Sequence, residues 1–197
     1  MDTILGLCIG IGLSAACGFR VFVPLLAMSV AAMMGIFEPL QGFEWLALPS
    51  VCFALAVATI FEIGAYYIPW VDNLLDTIAT PAALAAGTLS TMAVGTADMS
   101  PFASWASALI VGGGTASAVQ LGTVAIRGIS TTTTGGVANP ILSTGEWMGA
   151  MLLSVLSFLI PVFAVIAVIL LAIFTWRWIK RSKQQQRKAG MIDHQPE

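Results

Sequence analysis

Long apolar runs fill most of this chain, near residues 3–17, 19–37, 45–68, 77–96, 102–126 and 147–176. A helix needs about 20 apolar residues to cross a hydrocarbon layer about 30 Å thick. Inside such a layer every backbone N–H and C=O must find a partner within the protein, so only helices or a closed barrel can span it. A barrel would show short segments alternating apolar and polar residues, whereas these runs are continuous and rich in Ala, Leu, Ile and Gly. The pattern predicts an all-α, polytopic helical membrane protein with five or six crossings. Charged residues make up 9% of the chain, against about 25% in an ordinary soluble domain.

Six of the eight Lys and Arg residues (Arg177, Lys180, Arg181, Lys183, Arg187, Lys188) follow the last apolar run. By the positive-inside rule they place the C-terminus in the cytoplasm. The chain thus divides into a transmembrane helical domain, 1–179, and a polar basic tail, 180–197, expected to be disordered. The expected location is the inner (plasma) membrane. The basic run is read as a topogenic and lipid-facing feature, with membrane lipids and no nucleic acid as partners. The N-terminus, MDTILGLCIG, lacks the basic region of a removable signal peptide and is expected to be retained. Five crossings put the N-terminus outside; six put both ends inside.

The first apolar region, Ile4 to Phe37, would be about 50 Å long as one helix, too long for a straight span. Gly18, Arg20 and Pro24 mark the expected break. The next helix is expected from about Trp45 to Ile68, with Tyr66, Tyr67 and Trp70 as interfacial anchors. In 69–95 the residues Asp72, Asp76, Thr80, Gly87 and Thr91 give one polar helix face, which should turn toward protein or water. A turn is expected at Thr96 to Pro101. Beyond it, Ser104, Ala108, Gly112, Ala116 and Gln120 recur every fourth residue, a stripe suited to close helix packing in lipid, and Gly6 with Gly10 is a shorter pair of the same kind. Residues 127–146, RGISTTTTGGVANPILSTGE, are expected to form a loop before a last helix over about 147–178 that Pro161 kinks.

GLSAACGFRVFVPLL (12–26) aligns without gaps on GISTTTTGGVANPIL (128–142), matching Gly12 with Gly128, Ser14 with Ser130, Val21 with Val137, Pro24 with Pro140 and Leu26 with Leu142. A Glu-Trp pair follows each copy, Glu44-Trp45 and Glu146-Trp147, each expected to begin a helix. Chance identity in so biased a composition competes with an internal repeat. If the repeat is real, the paired Gly/Pro-broken segments point to a transporter binding site, where interrupted helices offer backbone groups to a substrate. With each copy inside one broken crossing, the first and the fourth, the two would run in opposite directions.

An ionised side chain at mid-membrane costs about 2.5 kcal/mol or more, so Arg20, Glu62, Asp72, Asp76 and Arg127 are the residues that need explaining. One reading is a polar centre: Arg20 and Arg127 attract an anionic group, with Thr134 and Asn139 of the Thr/Gly-rich segment as further substrate ligands, and Glu62, Asp72 and Asp76 couple protons or bind an ion. The other is structural, with Arg20 held by Glu62 or Asp76 to fix helix register.

Cys8, Cys17 and Cys52 sit in apolar runs without CxxC spacing, and His194 is in the tail, so no metal site is expected. Walker A, HExxH and GxSxG patterns are absent, and GIGLSA at 10–15 lacks the βαβ unit a dinucleotide fingerprint needs. No cofactor is expected, and with no assembled nucleophile and base an enzyme is the poorer reading. A small transporter or permease-like protein is expected, taking an anionic small molecule or a phosphate-bearing lipid, with proton coupling and homo-oligomerisation open. The alternative is a non-transporting scaffold or assembly factor whose charges lock helices together.

The run Glu62-x-x-Ala65-x-x-Ile68-Pro69-Trp70-Val71-Asp72-x-x-x-Asp76, together with Gly18-x-Arg20, Pro24-Leu25-Leu26, Arg127 and Asn139-Pro140, resembles the bacterial integral-membrane family catalogued as domain of unknown function 4126, over residues 3 to 176. The resemblance implies a small polytopic membrane protein and supplies no established activity. Many relatives carry an Asp-Lys pair where this chain has Tyr66-Tyr67, so it brings no role that needs a lysine there.

Overall fold

The computed structural model describes residues 3–95, 99–174 and 177; for Thr3, Pro69, Trp70, Asp72 and Asn73 the description stops at the backbone. The basic tail, 180–197, and part of the expected turn at Thr96 to Pro101 lie outside the described residues. Among the described residues every regular element is helical. They are α1 (Thr3–Phe19), α2 (Phe22–Met33), a 3₁₀ turn (Glu44–Ala47), α3 (Pro49–Ala65), α4 (Pro69–Val94), α5 (Pro101–Ser107), a π turn (Ala108–Gly113), α6 (Gly114–Thr134) and α7 (Asn139–Leu159). A further helix, α8 (Pro161–Phe174), follows.

Proline sets most of the boundaries. Pro49, Pro69, Pro101 and Pro140 each lie in the first turn of a helix, where the missing N–H costs nothing. Pro161 does more than the expected kink: it forces Ile160 out of helical geometry (φ −144°, ψ 73°) and ends α7. The expected loop at 127–146 is mostly helix, which corrects the reading from composition. Hydroxyls of Thr132, Thr133 and Thr134 bond back to carbonyls of Ile129 and Ser130, so the threonine run can stay helical. Only 135–138 is a link, and Gly135 opens it with a left-handed conformation (φ 63°).

The chain runs up and down between two ends of one bundle. Ile9 of α1 shares one buried cluster with Met28 and Ala31 of α2, and the two helices pack as a hairpin folded at 20–21. The start of α1, the end of α2, the end of α4 and the end of α7 meet at one end: Leu40 N–H bonds Ala93 O (2.9 Å), and Phe37 stacks on Phe158 with ring centroids 5.2 Å apart. α7 and α8 form a second hairpin, which brings Ser157 and Ala164 together on Gly12. Both copies of the repeat alignment are therefore turns between antiparallel helices at the far end of the bundle. They run in the same direction, not in opposite ones, because each break is a reversal and not an interruption within one crossing. The second Glu-Trp pair also lies inside α7 and does not begin a helix.

α1 is apolar all round and sits at the centre, against α2, α4, α6 and α7. Small residues let its neighbours approach. Ser14 donates to Gly87 O (2.8 Å) and meets Thr91 Oγ1 (2.8 Å), and a Cβ placed on Gly87 would lie 2.5 Å from that of Ala116. The expected stripe on 104–120 is buried along its length and continues through Thr123 to Arg127 and Ser130. The polar face of α4 likewise turns inward at Gly87 and Thr91.

Polarity is inverted relative to a soluble protein. Ser14, Ser29, Ser90, Ser143, Ser154 and Ser157 are inside, while Phe53, Phe61, Ile110 and Phe163 are among many large apolar side chains outside. In water, each such side chain would forgo about 1.5–3 kcal/mol of burial. Three stretches, Leu74–Val94, Pro101–Thr134 and Asn139–Leu159, are long and apolar enough to cross a membrane. This distribution is compatible with a membrane protein.

A buried charge node where the two breaks meet

Pro24 shapes the first break. It cannot donate to the preceding turn, the chain turns at 20–21, and the first N–H groups of α2 are left without helical acceptors. Glu62 of α3 supplies them: its carboxylate accepts from Val21 N–H (2.7 Å) and Phe22 N–H (3.0 Å). It is a cap delivered from another helix, placed where the helix dipole favours negative charge.

Arg20, at the turn itself, points the other way. Its Nη2 donates to Ser143 Oγ (2.6 Å) and pairs with Glu146 Oε2 (3.1 Å), both on α7 just past the second break. Arg127, from α6, donates through Nε to Glu146 Oε1 (3.0 Å), through Nη2 to Glu146 Oε2, and through Nη1 to Asp76 Oδ1 on α4 (3.0 Å). Both guanidiniums lie over the Tyr66 ring, at 3.6 Å for Arg20 and 4.4 Å for Arg127. Five segments thus meet at the node, and one carboxylate, Glu146, is shared by two arginines.

Arg20 is 2% and Arg127 3% exposed. Two guanidiniums and the carboxylates of Glu146 and Asp76 cancel in formal charge. Pairing of this kind is what makes burial tolerable, since losing one partner of a buried pair typically costs about 3–5 kcal/mol. One donor remains over: Arg20 Nε has no hydrogen-bond acceptor among the described residues.

Of the residues picked from sequence, the structure brings Arg20, Asp76 and Arg127 into this node and sets Glu62 beside it as the cap of α2. Thr134 and Asn139 make their described bonds within the α6–α7 segment: Thr134 donates to Ser130 O (2.7 Å), and Asn139 Nδ2 donates to Thr131 Oγ1 (3.3 Å). The side chain of Asp72 lies outside the described residues. The partner of Arg20 is neither Glu62 nor Asp76 but Glu146, with Ser143. Sequence reasoning passed over both, because 127–146 looked like a loop. On a helix, Asn139, Ser143, Glu146, Ala150, Ser154 and Ser157 recur every third or fourth residue, the same signal that exposed the stripe on 104–120. Tyr66, expected as an interfacial anchor, carries both guanidiniums on its ring.

Beside the node, α3 packs along α2 and leaves its other flank standing off α4. The gap is a groove of about 450 Å³ whose walls include Phe22, Phe61, Glu62, Tyr66, Ile78 and Ala82. Neither arginine lines it.

No curated protein and no solved structure matches the chain. A family model does match, over residues 7–181. The chain belongs to the family described as domain of unknown function 4126.

Proposed function

We propose that this chain is a small multi-pass membrane transporter of the permease type, with the Arg20–Glu146–Arg127–Asp76 node as its gate. The observation that carries the reading is that one buried carboxylate, Glu146, holds guanidiniums from the α1–α2 turn and from α6. A purely structural core has little use for such an arrangement, because well-packed apolar residues usually serve stability as well or better. Ionisable residues in membrane-embedded helices mark pathways and relays by default. Protonation of Glu146 would free Arg20 and loosen the contact between the two hairpins, and protonation of Asp76 would loosen the α4–α6 contact at Arg127. That gives a two-state element for coupling. An anionic small molecule or a phosphate-bearing lipid would reach the arginines only by displacing Glu146 or Asp76, which favours the node as a gate over an open anion site.

In this reading α3, α4, the α5–α6 rod, α7 and α8 make five crossings. α2 has 12 residues and rises about 18 Å, too short to cross, so α1–α2 enters as a hairpin whose turn at Arg20 is enclosed by protein. The N-terminus is then outside and the tail cytoplasmic, in the inner membrane. Reporters fused to both ends test this: a cytoplasmic N-terminus sinks it. For the gate, full-length protein in vesicles carrying a trapped pH dye should collapse an imposed pH gradient faster than folded Asp76→Asn at equal density. Equal rates would favour the alternative, a non-transporting scaffold, which the low exposure of both arginines supports.

A further inference from the structure

The groove between α3 and α4 contains the one buried or half-buried acid among the described residues for which no cation partner is found within ion-pair distance. Glu62 makes two bonds, both to backbone N–H groups of α2. The described ion pairs consume Glu146 and Asp76 on the two arginines and leave Glu62 out. A helix N-terminus carries about half an elementary charge, and Arg20, which acts on Glu62 from beyond ion-pair distance, is with Arg127 already matched by Glu146 and Asp76, so Glu62 keeps part of its charge. Each carboxylate oxygen has a further lone pair.

The rest of the groove is apolar and aromatic. Phe22 and Phe61 flank Glu62, Ile78 and Ala82 close the α4 side, and no Lys or Arg is among the lining residues. Phe61 and Ile78 are largely exposed, so the groove opens onto the apolar exterior of the bundle. Its volume, about 450 Å³, lies within the range of small-molecule sites. Aromatic faces attract cations, an apolar wall excludes strongly hydrated ions, and a surplus carboxylate repels anions.

We propose that this groove binds a lipophilic monovalent cation, an ammonium or phosphonium with bulky apolar substituents, which enters from the bilayer and sets its charge against Glu62. The assignment names the substrate class for the transporter reading and rests on that reading for its consequence, movement across the membrane. It departs from the anionic substrate expected from Arg20 and Arg127, because those charges are already answered by Glu146 and Asp76.

The test uses two ions of equal shape and opposite charge, tetraphenylphosphonium and tetraphenylborate, titrated onto the purified full-length protein. Saturable binding of the phosphonium is expected, at least tenfold tighter than that of the borate, and at least tenfold weakened by Glu62→Gln. Because Glu62→Gln also touches the cap of α2, Ala82→Phe serves as a second variant that fills the groove and leaves the carboxylate in place; it should weaken phosphonium binding by a similar factor. Equal binding of the two ions, or wild-type phosphonium affinity in either folded variant, overturns the proposal. Gradient-driven movement of ethidium through vesicles then separates the two claims. Charge-selective binding that depends on Glu62, without movement, upholds the site and breaks the transporter reading.

Discussion

The same three helices, α1, α4 and α6, are joined in two different ways along their length. Toward the end where α1 begins, they meet through glycine, alanine, serine and threonine; toward the breaks, arginine and carboxylate take over. The first kind of contact is short-ranged and neutral. It tolerates losing an atom and does not tolerate gaining one. The second fails on loss, because a buried guanidinium without its carboxylate is worse than none at all. Packing and electrostatics therefore place opposite demands on substitution within a single interface.

The largest expected effect tests the charged end. Glu146→Gln removes the carboxylate that two arginines share, and stability should fall by about 3–5 kcal/mol, read as a shift of the unfolding transition in detergent. A change under about 1 kcal/mol, the range of exposed pairs, would mean the node is wet. At the neutral end, Gly87→Val drives side-chain atoms into Ala116 and the Gly112 carbonyl and should cost about 1–3 kcal/mol. Adding Ala116→Gly should recover part of the loss; simple additivity would show that the two residues do not meet.

The reading of Tyr66 is sharpened by a pair of substitutions. Tyr66→Phe keeps a ring under both guanidiniums and should be nearly silent, whereas Tyr66→Leu should lose about 1–2 kcal/mol. Equal losses would assign the role to the hydroxyl. The smallest loss from removing a described interaction is expected from Glu62→Gln, about 1 kcal/mol, as for a lost helix cap. Hydrogen exchange should place it at the first turn of α2. Uniform loosening of the whole bundle would argue that Glu62 belongs to the node itself.

Much of the neutral end was legible in the sequence. A small residue every fourth position and a polar face on one helix are periodic signals, and both turned inward as read. The breaks were also legible, since proline and glycine act locally. Their geometry was not. A break within one crossing and a hairpin between two look alike in sequence, and only tertiary packing, such as the cluster that Ile9 and Met28 share, tells them apart. The threonine run at 131–134 concealed a helix, because its hydroxyls bond back to the preceding turn. That concealed Ser143 and Glu146 as well, and with them the partner of Arg20. The groove had no sequence signal, for it arises where α3 and α4 fail to pack.

The π turn at Ala108–Gly113 ties the two ends together. A strict repeat of four advances about 40° per step around an α-helix, so the buried row from Ser104 to Gln120 would drift off its neighbour within a few turns. One wide turn absorbs a surplus residue and resets the phase. Every side chain beyond it, Arg127 included, takes its bearing from that single residue. Deleting one residue from 108–113 would rotate the rest of α6 by about 100° and swing Arg127 away from Glu146 without altering either of them. The angular register of the charged end is set about four turns upstream, within the neutral one.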